Sequence, residues 1–164
     1  MPETAALLSK QARLLGFDYS QNKIGIAVGQ RLTNTASGLT TLLCQHKKID
    51  WAAMDELFSE WNPDACIVGL PLNMDGTEQD TTQLAKNFGK QLKSRYNLPV
   101  YFTDERLTSR EASQMLGYGG HTSPRRHPRK GKKVKPQQQH GHDIDQLAAQ
   151  LILQDWLNQQ LAND

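Results

Sequence analysis

Leu14-Leu15-Gly16-Phe17-Asp18-Tyr19-Ser20-Gln21-Asn22-Lys23-Ile24-Gly25-Ile26-Ala27-Val28-Gly29 is the stretch from which the fold follows. Residues 13–17 form a mostly apolar run, the pattern of a buried strand. Residues 19–22 carry turn chemistry, with polar side chains that satisfy their own backbone and tolerate unusual dihedrals. Ile24, Ile26 and Val28 then alternate with Gly25, Ala27 and Gly29, a period of two with small residues on one face. Such a face lets another backbone, or a ligand, come close. Asp18 ends the first strand, where a carboxylate costs desolvation energy unless something positive stands against it. That partner is either a Lys or Arg side chain or a metal ion, and the rest of the chain has to decide between them.

Downstream, residues 35–43 read as a third strand with Leu39, Thr41 and Leu43 on one face. Asp50 is a plausible N-cap for a helix to about Trp61, whose apolar residues Met54, Leu57, Phe58 and Trp61 follow helical spacing. Residues 65–70 are continuously apolar, as expected of a strand buried on both faces. A breaker-rich loop over residues 71–76 leads into a long amphipathic helix over 77–96, and residues 100–102 form a fifth strand. Thr108-Ser109-Arg110-Glu111 matches a capping box before a short helix with Ala112, Met115 and Leu116. Residues 117–142 show no apolar period and read as a mobile loop. A last helix starts at Asp143 or Asp145 and turns Leu147, Ala148, Leu151, Ile152 and Leu157 to the core. Three consecutive strands followed by βα units imply an α/β fold. Its mixed sheet combines a three-strand antiparallel meander with two parallel strands, and helices cover both faces.

A chain of 164 residues suits one domain that buries roughly two-thirds of its unfolded surface. Net charge is only +2, but Arg125, Arg126, Arg129, Lys130, Lys132, Lys133 and Lys135 lie together with no acid among them. Setting these seven aside leaves 12 cations against 17 acids, so the body carries about −5. A cationic segment on an acidic body points to an anionic polymer as partner. Cys44 and Cys66 lack metal-ligand spacing and read as free thiols in a reducing compartment. No secretory leader and no membrane-length apolar run is visible, so the expected location is cytoplasmic. Nothing in the sequence specifies an oligomeric state. Trp51, Trp61 and Trp156 read as core residues, and His121, His127, His140 and His142 sit in too polar a setting to suggest a metal site.

Three acids fall at comparable places: Asp18 at the end of strand one, Glu105 after strand five, and Asp145 in the first turn of the last helix. If strands one and five run the same way, Asp18 and Glu105 share a sheet edge, which the last helix need only cross to bring in Asp145. Carboxylates gathered so repel one another unless divalent cations lie between them, and hard oxygen ligands favour Mg²⁺ or Mn²⁺ over zinc. Two such ions about 4 Å apart activate a water and stabilise the leaving oxygen of a phosphodiester. Asp104 competes with Glu105 for its role, and Asp143 with Asp145. Capping and helix-dipole effects also place acids at such positions without any chemistry.

Several stretches together resemble the YqgF family. They are Gly16-Phe17-Asp18-Tyr19, Ile24-Gly25-Ile26-Ala27-Val28-Gly29, the run Ile-Val-Gly-Leu-Pro-Leu-Asn-Met-Asp-Gly-Thr-Glu over 67–78, and Asp-Glu-Arg-Leu-Thr-Ser-Arg-Glu-Ala over 104–112. Asp145 ahead of Leu151-Ile152-Leu153-Gln154 completes the set. Members of that family are described as pre-16S ribosomal RNA nucleases and as Holliday junction resolvases. The resemblance implies a ribonuclease H-like fold over residues 1–164, with 118–142 as a basic loop, and a catalytic, metal-binding triad at Asp18, Glu105 and Asp145. The implied activity is hydrolysis of phosphodiester bonds with Mg²⁺ or Mn²⁺. The substrate would be structured precursor ribosomal RNA, within ribosomal assembly intermediates, or else branched DNA. Candidates for substrate contact are Lys23, Asn73, Arg106, Arg110, Arg125, Arg126, Arg129, Lys130, Lys132 and Lys133. Asn73 and Asp75 could instead cap the helix that follows. The chain departs from the family in carrying Ser20 where glycine is usual and Asn22-Lys23 where a Lys-Arg or Lys-Ser pair is usual. A non-catalytic nucleic-acid-binding factor in ribosome assembly or transcription is the alternative of a different class. A sugar-kinase-like ATPase would need a second domain for which the chain has no room.

Overall fold

The computed structural model describes residues 8–105 and 136–163. Its centre is β1 (Arg13–Tyr19), in which Leu14, Leu15, Gly16 and Phe17 are all buried. β1 pairs antiparallel with β2 (Lys23–Gln30) on one side. On its other side it pairs parallel with β4 (Ala65–Leu70), which is why its apolar run has no polar alternation. β3 (Thr35–Leu43) lies outside β2, and β5 (Val100–Asp104) lies parallel outside β4, giving the order β3-β2-β1-β4-β5. The expected meander and parallel pairs are both present.

The period of two sorts the side chains into two cores. Leu15, Phe17, Ile24, Ile26, Cys66 and Val68 face helices α1 (Trp51–Trp61) and α2 (Asp80–Tyr96), where they meet Met54, Phe58, Phe88 and Leu92. Leu14, Ala27, Ala65 and Ile67 face α3 (Pro136–Asn163) and meet Ala149, Ile152, Leu153 and Trp156. The small face of β2 is therefore turned to a helix backbone. Trp156 is buried, whereas Trp51 and Trp61 are half-buried against the first core. Both cysteines are free thiols, Cys66 buried and Cys44 half-buried. No helix among the described residues is long and apolar enough to cross a membrane.

Local chemistry sets the element ends. Asp50 caps α1 by accepting from the Ala53 N–H at 3.1 Å, and Asn62 closes it at φ 45°. α2 begins at Asp80, three residues later than its amphipathic pattern suggests. Thr77 is held instead in a closed turn: its N–H and hydroxyl donate to Asp75 Oδ1 at 3.0 and 2.6 Å, and its hydroxyl accepts from Asn73 Nδ2 at 2.9 Å. Asn73 and Asp75 are thus spent within the loop, and neither caps α2. Thr82, fully buried, fastens this loop to α2: its hydroxyl donates to the Pro71 carbonyl and accepts from the Gln79 N–H at 2.9 Å.

Two further expectations change. In β3 the pairing jumps from Ala27↔Gly38 to Ile26↔Thr40, so Leu39 is bulged and the parity beyond it flips. Leu42 joins Leu39 against the core, and Leu43 is exposed, contrary to the shared face expected of Leu39, Thr41 and Leu43. The last helix starts at Pro136, not at Asp143 or Asp145. Proline is tolerated in a first turn and glutamines are fair helix formers, so the helix runs back through a stretch that has no apolar period. The helix expected near Ala112 and the whole cationic run from Arg125 to Lys135 lie outside the described residues.

Candidate functional site

β1, β4 and β5 are mutually parallel, so their C-terminal ends form one edge of the sheet. Asp18 stands at that edge on β1, cross-strand from Gly25. Glu105 follows β5, and its N–H donates to the Leu70 carbonyl at 3.1 Å, which binds it to the end of β4. Asp145 comes from α3. It is ten residues into the seen helix rather than in its first turn, so capping does not account for it.

Glycines decide how near these groups come. A Cβ on Gly25 would overlap the Asp145 carbonyl, so only glycine lets α3 lie this close to β2 beside Asp18. A Cβ on Gly69 would overlap Glu105 Oε1, so glycine also opens the space that the Glu105 carboxylate fills. Along α3, Ala149 and Leu153 continue the line of Asp145 at intervals of four, packing over Gly16 and Gly29. The apolar seam that seats the helix thus also aims Asp145 at the sheet edge.

The electrostatics are those of crowded acids. Burial, then the neighbouring Asp145 charge, pushes Asp18 up to about 7, with Lys23 opposing. Burial, then Asp18 and Asp104, pushes Glu105 up to about 8. Glu105 Oε1 is buried with no hydrogen-bond partner. Asp145 Oδ2 is also buried and lacks a hydrogen bond, although Lys23 Nζ lies 3.0 Å away as an ion pair. Orphaned, buried carboxylate oxygens are costly unless a cation uses them. The donor set is hard oxygen throughout and fits Mg²⁺ or Mn²⁺. Among the described residues no group of three or more His, Cys, Asp or Glu already stands close enough to hold a metal ion.

Of the other candidates, Lys23 is at this edge and Asn73 is engaged with Thr77 in the loop after β4. Asp104 ends β5 and is exposed, whereas Glu105 is half-buried. Arg106, Arg110, Arg125, Arg126, Arg129, Lys130, Lys132 and Lys133 lie outside the described residues. Sequence reasoning missed Gly69 as a spacer, Thr82 as a fastener and the hold of Ser20 on Lys23. Only the small-residue alternation of β2 signalled anything of the kind.

Residues 12–159 match the family described as RuvX: Holliday junction resolvase, which is the YqgF family. The chain belongs to this family. A Nitrosococcus oceani protein named "Putative pre-16S rRNA nuclease" is 44% identical over 152 residues, covering 93% of this chain and 90% of its own length. A Pseudomonas putida protein of the same name is 43% identical over 145 residues, covering 88% and 93%. RuvC of Thermus thermophilus, solved with a Holliday junction substrate, superposes with a TM-score of 0.51 at 15% identity over 92% of this chain and 96% of its own. The yeast mitochondrial Holliday junction resolvase Ydc2 does so at 0.50 and 10% identity, over 92% and 80%. The fold is that of the RuvC-like, ribonuclease H-like resolvases, and the family is one of nucleases acting on nucleic acids.

Proposed function

We propose that this protein is a divalent-cation-dependent endonuclease whose centre is Asp18, Glu105 and Asp145. Its most suitable substrate is the 5′ region of precursor 16S ribosomal RNA, within ribosomal assembly intermediates. The observation that carries this is that Asp18, Glu105 and Asp145 stand at one sheet edge, with Glu105 Oε1 and Asp145 Oδ2 buried and without hydrogen bonds. The names of relatives more than 40% identical over most of the chain support the RNA.

Asp18, Glu105 and Asp145 would hold Mg²⁺ or Mn²⁺, which supplies Lewis acidity to the attacking water and to the leaving oxygen. The chain's own work is positioning. Asp18 sits on the central strand β1 and Glu105 is tied to β4. Asp145 is seated by the α3 seam, so each carboxylate is held at the edge from which the three would close on a cation. Lys23 stands at the same edge to contact phosphate, and Asn73, whose amide is engaged with Thr77, shapes the loop after β4 beside it. Arg106 is suited to stabilise transition-state charge. Arg110 and the run from Arg125 to Lys133 supply further phosphate contacts that weaken with salt. The basic residues of 118–135 serve in this reading as further substrate contacts of a single domain, while 136–142 belong to α3 and not to the expected loop. Phosphate contacts carry no base information, so the family's resolvase description keeps branched DNA as the second reading.

The test is cleavage of labelled precursor ribosomal RNA and a four-way DNA junction, side by side, with Mg²⁺, Mn²⁺ or EDTA. Cutting of the RNA that needs both cation and Asp18, and is lost in Asp18→Asn, is the expected result. Preferential cutting of the junction selects the second reading. Binding of either without cutting under any cation overturns the enzymatic one.

A further inference from the structure

The β1–β2 turn is closed on a single residue. Ser20 Oγ donates to the Lys23 carbonyl at 2.7 Å and accepts from the Lys23 N–H at 3.2 Å, and the Ser20 N–H donates to the same carbonyl at 3.0 Å. These bonds fix the Lys23 backbone. Its side chain remains 38% exposed and extends to α3, where the ammonium lies 3.0 Å from Asp145 Oδ2. That carboxylate side chain is only 15% exposed, and the contact is an ion pair without hydrogen-bond geometry. A cation held by charge alone, on a flexible stem that reaches solvent, is one that another cation can displace.

We propose that Lys23, positioned by Ser20, is a resident counter-ion that balances Asp145 in the cation-free protein and competes with the divalent cation for it. The proposal rests on the reading of Asp18, Glu105 and Asp145 as a cation-binding cluster. It explains why Asp145 can stand beside Asp18 before any metal arrives: the ammonium offsets the repulsion that would otherwise push α3 from the sheet edge. It also gives the Ser20 hydroxyl a purpose, since a glycine there would have none to hold the Lys23 backbone. Once displaced, the ammonium is left at the rim of the site, within its stem's reach of an incoming phosphate. Lys23 is in this sense a positioning residue for the cluster.

The experiment is calorimetric titration of Mg²⁺ at pH 8.5 into wild type, Lys23→Gln, Ser20→Gly and Asp18→Asn, with melting of each in EDTA. Lys23→Gln is expected to bind Mg²⁺ between roughly two- and tenfold more tightly, the range of a single part-exposed charge contact. It is also expected to melt earlier in EDTA. Ser20→Gly should shift both readouts in the same directions by less. A merely structural role for Lys23 would lower stability and affinity together, so a rise in affinity is the distinguishing sign. Unchanged or weaker binding by Lys23→Gln, with wild-type binding still lost in Asp18→Asn, overturns the counter-ion and leaves the cluster standing. Absence of any Asp18-dependent Mg²⁺ binding overturns both.

Discussion

Gly25 and Asp145 meet with no room for a side chain between them. A Cβ on Gly25 would overlap the Asp145 carbonyl oxygen and come within 3.0 Å of the Asp145 Cβ. The obstacle is helix backbone, which cannot turn aside as a side-chain tip can. Because Gly25 is the cross-strand partner of Asp18, this contact also sets the distance between two acids. Gly25→Ala should therefore lift α3 at its Asp145 end. The expected outcome is a loss of about 1–3 kcal/mol of stability from overpacking. Activity should fall about a hundredfold, the scale of an ångström-level misplacement in a catalytic site. Melting and cleavage measured together check whether activity falls by more than the folded fraction does.

Gly69→Ala tests the other side of the cluster. Its Cβ would overlap Glu105 Oε1 and stand 2.6 Å from the Ile152 Cδ1 tip. Both neighbours are side-chain ends, and both can move. Stability should fall by less than in Gly25→Ala, while Glu105 is expelled from its place. Cleavage and Mg²⁺ affinity are the readouts, and both should drop with a modest change in Tm. Gly38→Ala is a milder push on the same helix, since its Cβ would meet Gln146 Cβ at 3.1 Å and Gln146 O at 3.3 Å, one residue beyond Asp145.

The raised acids fix the sign of a pH dependence. Asp18 and Glu105 ionise in the unfolded chain near 3.8 and 4.5 and in the folded protein near 7 and 8. Between these values the folded state holds protons that the unfolded state has released. The cation-free protein should thus lose stability from this pair as pH rises from about 4 to about 8. Asp145 and Asp104 add to the effect by repulsion, and Lys23 opposes it at Asp18. Melting in EDTA across that range should show a steeper decline for wild type than for Asp18→Asn. Saturating Mg²⁺ should flatten the wild-type curve.

Thr82→Val removes the fastener between α2 and the loop after β4 without changing side-chain volume. It leaves the Pro71 carbonyl and the Gln79 N–H without their present partner. A cost of about 1–3 kcal/mol is expected from the unsatisfied groups. Limited proteolysis should open first at Met74, which is exposed in that loop.

Much of this was legible in the chain. The unbroken apolar runs of β1 and β4 marked central strands. The Gly25-Ala27-Gly29 alternation foretold a close-packed face, and Asp18 with Glu105 followed from the strand directions. Other features were not legible because they depend on partners far away in sequence. The bulge at Leu39 arises from how β3 meets β2, and apolar alternation alone cannot report an extra residue. Thr77 has the composition of a helix start, but Asn73 and Asp75 hold it in the preceding turn. The role of Gly69 is invisible until Glu105 is seen above it. The first two turns of α3 carry no apolar period for a sequence reading to detect.

The most direct test of the central claim is single-turnover cleavage of the preferred substrate by Asp18→Asn, Glu105→Gln, Asp145→Asn and the triple variant, at saturating Mg²⁺. Residues that act as one centre are strongly non-additive. Each single variant should lose roughly a hundredfold or more, and the triple variant little beyond the worst single one. Near-wild-type cleavage by any one of the three, in a protein that melts normally, would contradict the assignment of that carboxylate and with it the centre described.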